Sequence, residues 1–190
     1  MIEQGEVTRL LRDVHQGDGA AFERILALIY EDLRTAARQQ LRREYQSQTL
    51  EPTALVHEAY LKMVGGGAAQ VDAQDRAHLL ALAARAMRQV LVDRARKRTT
   101  EKRGGEEGWM NVTLTDGAAP TNGLAADELI ALDDALEQLE PRQRQIVECR
   151  FFGGMEEREI AATLGVTDRT VRREWVKARA RLNRALYGER

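Results

Sequence analysis

The chain has 190 residues and almost balanced charge, 29 Lys and Arg against 30 Asp and Glu, for a formal net charge of −1. That length holds one medium domain or two small ones, and an apolar fraction of 43% is that of a globular protein rather than a disordered chain. One cysteine excludes an internal disulfide, no apolar run approaches the roughly 20 residues that cross a bilayer, and the N-terminus lacks the basic start and apolar core of a signal peptide, so a cytoplasmic protein with no membrane role is expected.

Ala, Leu, Arg, Glu and Gln dominate, and no stretch alternates as a strand does, so the expected fold class is all-α. Glu6 to Gln16 reads as a short amphipathic helix with Val7, Leu10, Leu11 and Val14 inward; Gly17 ends it and Asp18 caps the next. Ala20 to about Arg43 is one long helix with a stripe of Phe22, Ile25, Leu26, Ile29, Leu33 and Ala37. Pro52 suits the first turn of a third helix that runs to about Val64, where three glycines stop it. After the loop Gly65 to Gln74, Asp75 caps a helix from Arg76 to about Lys102, with Leu79, Leu82, Ala83, Ala86, Val90 and Leu91 buried and basic residues crowding its later turns.

The composition then changes. From Gly104 to Pro141 there is no Lys or Arg, while Glu106, Glu107, Asp116, Asp127, Glu128, Asp133, Asp134, Glu137 and Glu140 all occur. The reading is two small helical domains, residues 1–103 and 125–190, joined by a flexible acidic linker at 104–124, with basic stretches flanking the acidic joint. Helix resumes near Ala125 with Leu129, Leu132, Leu136 and Leu139 on one stripe. Arg142 to about Phe152 follows, with Ile146, Val147, Cys149 and Phe151 for a core.

The stretch Met155 to Leu182 carries the strongest local pattern. A helix from about Glu156 to Leu164 is broken by Gly165, and a second begins at about Asp168 with Val171, Trp175, Ala178 and Leu182 at helical spacing. A small residue at the crossing (Ala161), a glycine able to take positive φ, and Thr167 as cap make a helix-turn-helix. The second helix holds Asp168, Arg169, Thr170, Arg172, Arg173 and Lys177 away from its apolar stripe, which suits major-groove docking. Arg172 and Arg173 are the best candidates for bidentate contacts to guanine. The bland alternative is a helical hairpin with a solvated basic face.

With both halves in view, the chain resembles the extracytoplasmic-function (ECF) sigma factors of bacterial RNA polymerase. LEPRQRQIVECRFFGGMEEREIAATLGVTDRTVRREWVKARARL is similar to the family's fourth domain, LVHEAYLKMV to its polymerase-docking helix, and AHLLALAARAMRQVLVDRARKR to the helix that works on melted promoter DNA. The resemblance implies a non-enzymatic initiation factor without cofactor or metal. Its partners would be core RNA polymerase and promoter DNA, the latter both as duplex and as melted non-template strand. It places polymerase contacts at Glu51, Leu55, Val56, Glu58 and Tyr60, a base-capture loop at Gly65 to Asp75, and phosphate contacts at Arg85, Arg88 and Arg94. It also admits an anti-sigma factor as partner.

One position departs from the family. Acidic residues usually precede the Leu-Val of the docking helix; here the stretch is Glu51-Pro52-Thr53-Ala54. Phosphorylation of Thr53 would add a charge of about −1.5 to −2 where a helix N-terminus favours anions. This resembles the subgroup of ECF factors that lacks the acidic motif and is activated by a Ser/Thr protein kinase. No catalytic group competes with this reading: His57-Glu58 lacks the second histidine of a zinc hydrolase, His15, His57 and His78 fall on separate helices, and Ser47 has no base. The alternative from another class is a helix-turn-helix regulator that acts without docking on core polymerase.

Overall fold

The computed structural model describes residues 4–42, 50–65, 71–101 and 125–188. Among these the chain is all-helical, with no strand. The helices are α1 (Gln4–His15), α2 (Gly19–Arg42), α3 (Pro52–Met63), α4 (Arg76–Glu101), α5 (Ala126–Glu137), α6 (Pro141–Val147), α7 (Glu157–Leu164) and α8 (Asp168–Tyr187). The expected bounds hold to within two residues wherever they can be compared. The helix expected from Arg142 to Phe152 differs: α6 stops at Val147 and the chain continues as a π-helical turn, Glu148–Phe152. The residues expected as linker, and residues 66–70 of the expected base-capture loop, lie outside the described residues.

The ends follow from local chemistry. Asp18 Oδ1 accepts from the Ala20 and Ala21 amides at 3.0 and 3.3 Å, and Asp75 Oδ1 from the His78 amide at 2.8 Å, so both acids cap the helices they precede. Glu128 and Glu159 reach back to the amides of Ala125 and Glu156, at 2.9 and 2.8 Å, and close the first turns of α5 and α7.

The organising element is α4. Buried residues surround it: Leu79, Ala83, Ala84, Ala86, Met87, Val90, Leu91, Val92 and Ala95. A helix with so broad an apolar surface packs on more than one face, and here the strip with Arg85, Asp93, Arg96 and Lys97 stays exposed. Its N-terminal neighbours α2 and α3 take one face, where Lys62 meets Asp93 at 2.7 Å and Glu58 meets Arg94. The opposite face takes α5, the π-helical turn and α7. The buried apolar side chains of both halves belong to a single contiguous cluster, so the stretches expected as two separate domains share one core in this conformation.

Cys149 sits in the π-helical turn, 2% exposed, and burial pushes its thiol up to about 12. It behaves as a small core residue, as its apolar surroundings in the sequence suggest.

Gly165 ends α7 in the left-handed region at φ 61°, and a Cβ there would meet nothing within 4 Å. The cost of a side chain is therefore backbone strain alone. Gly165→Ala should destabilise the protein by about 1 kcal/mol and lower Tm by a few degrees, as read by thermal melting; an unchanged Tm would mean that the turn does not hold this geometry.

Candidate nucleic-acid interface

The outward face of α8 is built by what its inward face buries. Val171, Trp175, Ala178 and Leu182 are buried against the rest of the C-terminal half, with Arg150 stacked 4.8 Å from the Trp175 ring centroid. Helix α7 packs against α8 and contributes the buried Ile160 and Ala161. The turn between them is fixed from both sides. The Val166 amide donates to Ala161 O at 3.0 Å, and Thr167 Oγ1 accepts from the Thr170 amide at 3.2 Å. This cap anchors the first turn of α8, in which Asp168 stands where a carboxylate suits the helix dipole.

With the apolar stripe turned inward, Arg169, Arg172, Arg173 and Lys177 are exposed. Thr170 is half-buried, its hydroxyl 3.0 Å from that of Thr167. Arg172 Nε donates to Glu157 Oε1 at 2.5 Å, a tie from α8 to α7. Arg173 Nε and Lys177 Nζ each lie 3.2 Å from Glu174 Oε1. Glu174 Oε2 in turn accepts from Gln143 Nε2 at 2.9 Å, and Gln143 Oε1 accepts from Arg181 at 2.9 Å. Glu174 and the buried Gln143 thus organise the cationic face, a role that reading the sequence did not assign. The one trace of it there is the Glu174–Lys177 spacing of i, i+3.

The hydrogen bond from Gln143, aided by those from Lys177 and Arg173, holds the Glu174 carboxyl down at about 2 against the opposing effect of burial. A carboxylate here therefore stays ionised, and it positions two cations without neutralising the exposed surface they present.

The N-terminal candidates separate into different environments. Arg85 is exposed. Arg88, expected as a phosphate contact, is only 1% exposed: it is enclosed by Asp133 of α5 and by Glu148 of the π-helical turn, whose Oε1 it meets at 2.7 Å. In this conformation it cannot touch a phosphate. Arg94 is engaged by Glu58 of α3 through both Nε and Nη2, so a residue expected on DNA and one expected on polymerase face each other. Along α3, Leu55 and Val56 are buried core residues rather than surface contacts, because they fill the space over α2 and α4. Tyr60 is half-buried and stacks on Phe22 with centroids 6.0 Å apart. Glu51 is exposed and serves as N-cap of α3, though without a side-chain cap bond. Thr53 is exposed in the first turn. It follows Pro52 and so stands inside the helix, not at the cap.

Among the described residues no cluster of His, Cys, Asp and Glu is able to hold a metal ion, and no helix is long and apolar enough to cross a membrane.

The profile of the ECF sigma factor family matches residues 4–188, nearly the whole chain. The chain belongs to the ECF sigma factor family. An ECF sigma factor is a non-enzymatic transcription initiation factor that works with RNA polymerase. No curated protein matches the chain. Among solved structures, CnrH in complex with the cytosolic domain of CnrY is 19% identical, over 97% of this chain and 99% of that one, with a TM-score of 0.42. The sigma factor RpoE, in complex with the anti-sigma factor NepR from Bartonella quintana, is 21% identical over 89% of this chain and 98% of that one, with a TM-score of 0.38. Likenesses at this level leave the roles of individual residues of this ECF sigma factor to its own geometry.

The Glu174 network has a pH signature. A carboxyl whose folded value lies below its ordinary 4.5 adds stability above that value and loses it as pH falls toward about 2. An NMR titration should place Glu174 near 2 in the wild type and clearly higher in Gln143→Ala, where Lys177 and Arg173 still favour the ionised form. A wild-type midpoint already in the ordinary range would show that the bond from Gln143 does not hold it.

Proposed function

We propose that the chain works as a two-part ECF sigma factor. Residues 1–103 dock on core polymerase, read the minus-ten element and hold melted non-template strand. Residues 104–124 are the linker, and residues 125–190 read the minus-thirty-five duplex through α7 and α8 as a helix-turn-helix. The observation that carries this reading is the cationic outward face of α8, exposed at Arg169, Arg172, Arg173 and Lys177 on a helix whose other face is anchored at four buried positions. A helix of about 10–12 Å diameter with such a face fits a major groove about 12 Å wide. Asp168 and Thr170 stand in its first turn, which enters the groove first. The family match favours this reading over a free-standing regulator, since docking on polymerase is what distinguishes a sigma factor.

Within that face Arg173 and Arg172 are the proposed guanine readers. Each is tied only by an exposed ion pair, worth at most about 1 kcal/mol, so it can exchange its carboxylate for a base edge. Arg173→Ala should weaken binding to the minus-thirty-five duplex by about 1–3 kcal/mol and relax specificity at one guanine. Anisotropy with duplexes carrying single-base changes, in a promoter selected by the holoenzyme, reads both effects. A uniform loss at every base position would make Arg173 a phosphate contact instead.

We propose further that Thr53 is the point of control, with a Ser/Thr protein kinase and an anti-sigma factor as regulators. The first turn of α3 contains no acidic residue, and Thr53 is exposed there beside Glu51. A phosphate at Thr53 would gather negative charge at the start of the proposed docking helix without disturbing Leu55, Val56 or Ala59 beneath it. Affinity for core polymerase should be higher for Thr53→Glu than for Thr53→Ala, measured by fluorescence titration. Equal affinities would remove phosphorylation at this residue as the device.

A further inference from the structure

An arginine buried between the halves is the feature that neither the family match nor the proposed function uses. Arg88 lies on the face of α4 that carries Ala84, Ala95 and Thr99 at helical spacing. Along that face it meets groups of the C-terminal half. Ala84 lies next to Gly153, with 3.4 Å to the position of a Cβ there; Arg88 meets Asp133 and Glu148; Arg96 meets Asp133 and Asp134 at 3.3 and 3.2 Å; and Thr99 Oγ1 donates to Asp127 Oδ1 at 3.2 Å. Gln40 of α2 adds a contact from the side, donating to Phe152 O at 3.0 Å.

A guanidinium stays charged at any ordinary pH, so its burial requires carboxylates. Both carboxylates that bind Arg88 most closely come from beyond residue 124, and Glu137 of the same half lies 4.0 Å away. Parting the halves would return all of these groups to water. A buried ion cluster of this kind fixes one arrangement while adding little net stability, because desolvation opposes the attraction. Burial pushes both the Asp133 and the Glu148 carboxyls up from their ordinary values, which is the signature of that opposition.

Geometry gives the closed arrangement a consequence. A compact body of this length has a radius of gyration of about 16 Å and spans roughly 40 Å. The minus-ten and minus-thirty-five elements are about 25 base pairs apart, about 85 Å along the duplex. One compact body does not reach both.

We propose that the free protein is an autoinhibited, closed form, latched by Arg88 between Asp133 and Glu148, and that the halves must part along this face of α4 before both promoter elements are engaged. The closure stands on the structure alone; its consequence for promoters rests on the sigma-factor reading.

X-ray scattering of the full chain tests the closure. The wild type should give a radius near 16 Å, and Arg88→Ala, which leaves two carboxylates facing each other, should shift it toward roughly 25–30 Å with helicity by circular dichroism unchanged. An extended wild type overturns the proposal, and so does a folded Arg88→Ala that stays compact. Should Arg88→Ala lose helicity, a crosslink decides. Thr99→Cys and Asp127→Cys, both at exposed positions and in a Cys149→Ala background, should be joined in high yield by a short, reductively cleavable bis-maleimide. Failure to join overturns closure.

The joined protein should lose at least tenfold in run-off transcription from a promoter selected with the unjoined protein, and regain it on cleavage. Equal transcription before and after cleavage overturns autoinhibition. If the unjoined protein neither binds core polymerase nor selects a promoter, the sigma-factor reading falls and autoinhibition with it, while scattering still judges the closure by itself.

Discussion

The arrangement depends on how a permanently charged side chain is kept away from water. Arg88 sits in the middle of the longest described helix at 1% exposure, and the carboxylates that make this tolerable lie on the other half of the chain. Remove both carboxylates and a buried charge is left uncompensated, at a cost of about 3–5 kcal/mol. Replace all three by apolar groups and the fold would lose little stability. The cluster therefore selects one docking of the halves over others more than it strengthens that docking. The apolar surface around it, from Ala84 to Ala95, supplies the driving force, and small alanines let the π-helical turn approach closely.

The opposite face of α4 shows how the same helix couples to α3. Glu58 engages Arg94, and Lys62 engages Asp93, so the helix proposed to dock polymerase and the helix proposed to hold melted DNA are joined by two partly exposed ion pairs. Pairs of this exposure are weak and exchangeable. Arg94 can leave Glu58 for a phosphate at small cost, whereas Arg88 can leave its carboxylates only if the halves separate. Two arginines six residues apart on one helix thus differ in availability because of what faces them, not because of their own chemistry.

The elements themselves were legible in the sequence, since each rests on local information: apolar periodicity, Asp18 and Asp75 as caps, Gly165 and Thr167 around the turn. The inward stripe of α8 was legible for the same reason, and with it the outward cations. What was not legible depended on partners distant in the chain. The sequence shows that Arg88 is charged but not that Asp133 and Glu148 close over it, so it was grouped with Arg85 and Arg94 as a solvent-facing contact. Leu55 and Val56 read equally well as a docking surface or as core, and the packing over α2 and α4 decided for core. The change from α6 to a π-helical turn has no marker in composition. It presents Glu148 to Arg88, and in the sequence it looked like a continuation of an ordinary helix.

The charge asymmetry of the chain takes on a different meaning in this light. An acidic stretch between two basic ones was read as a tether joining two polyanion binders. Part of that acidity has a fixed address: Asp127, Asp133 and Asp134 on α5 face Thr99, Arg88 and Arg96 on α4. The acidic helix lies along α4, and of the three arginines there that were expected to meet the DNA backbone it engages Arg88. In the closed form α5 thus meets the electrostatic demand of α4 from within the chain.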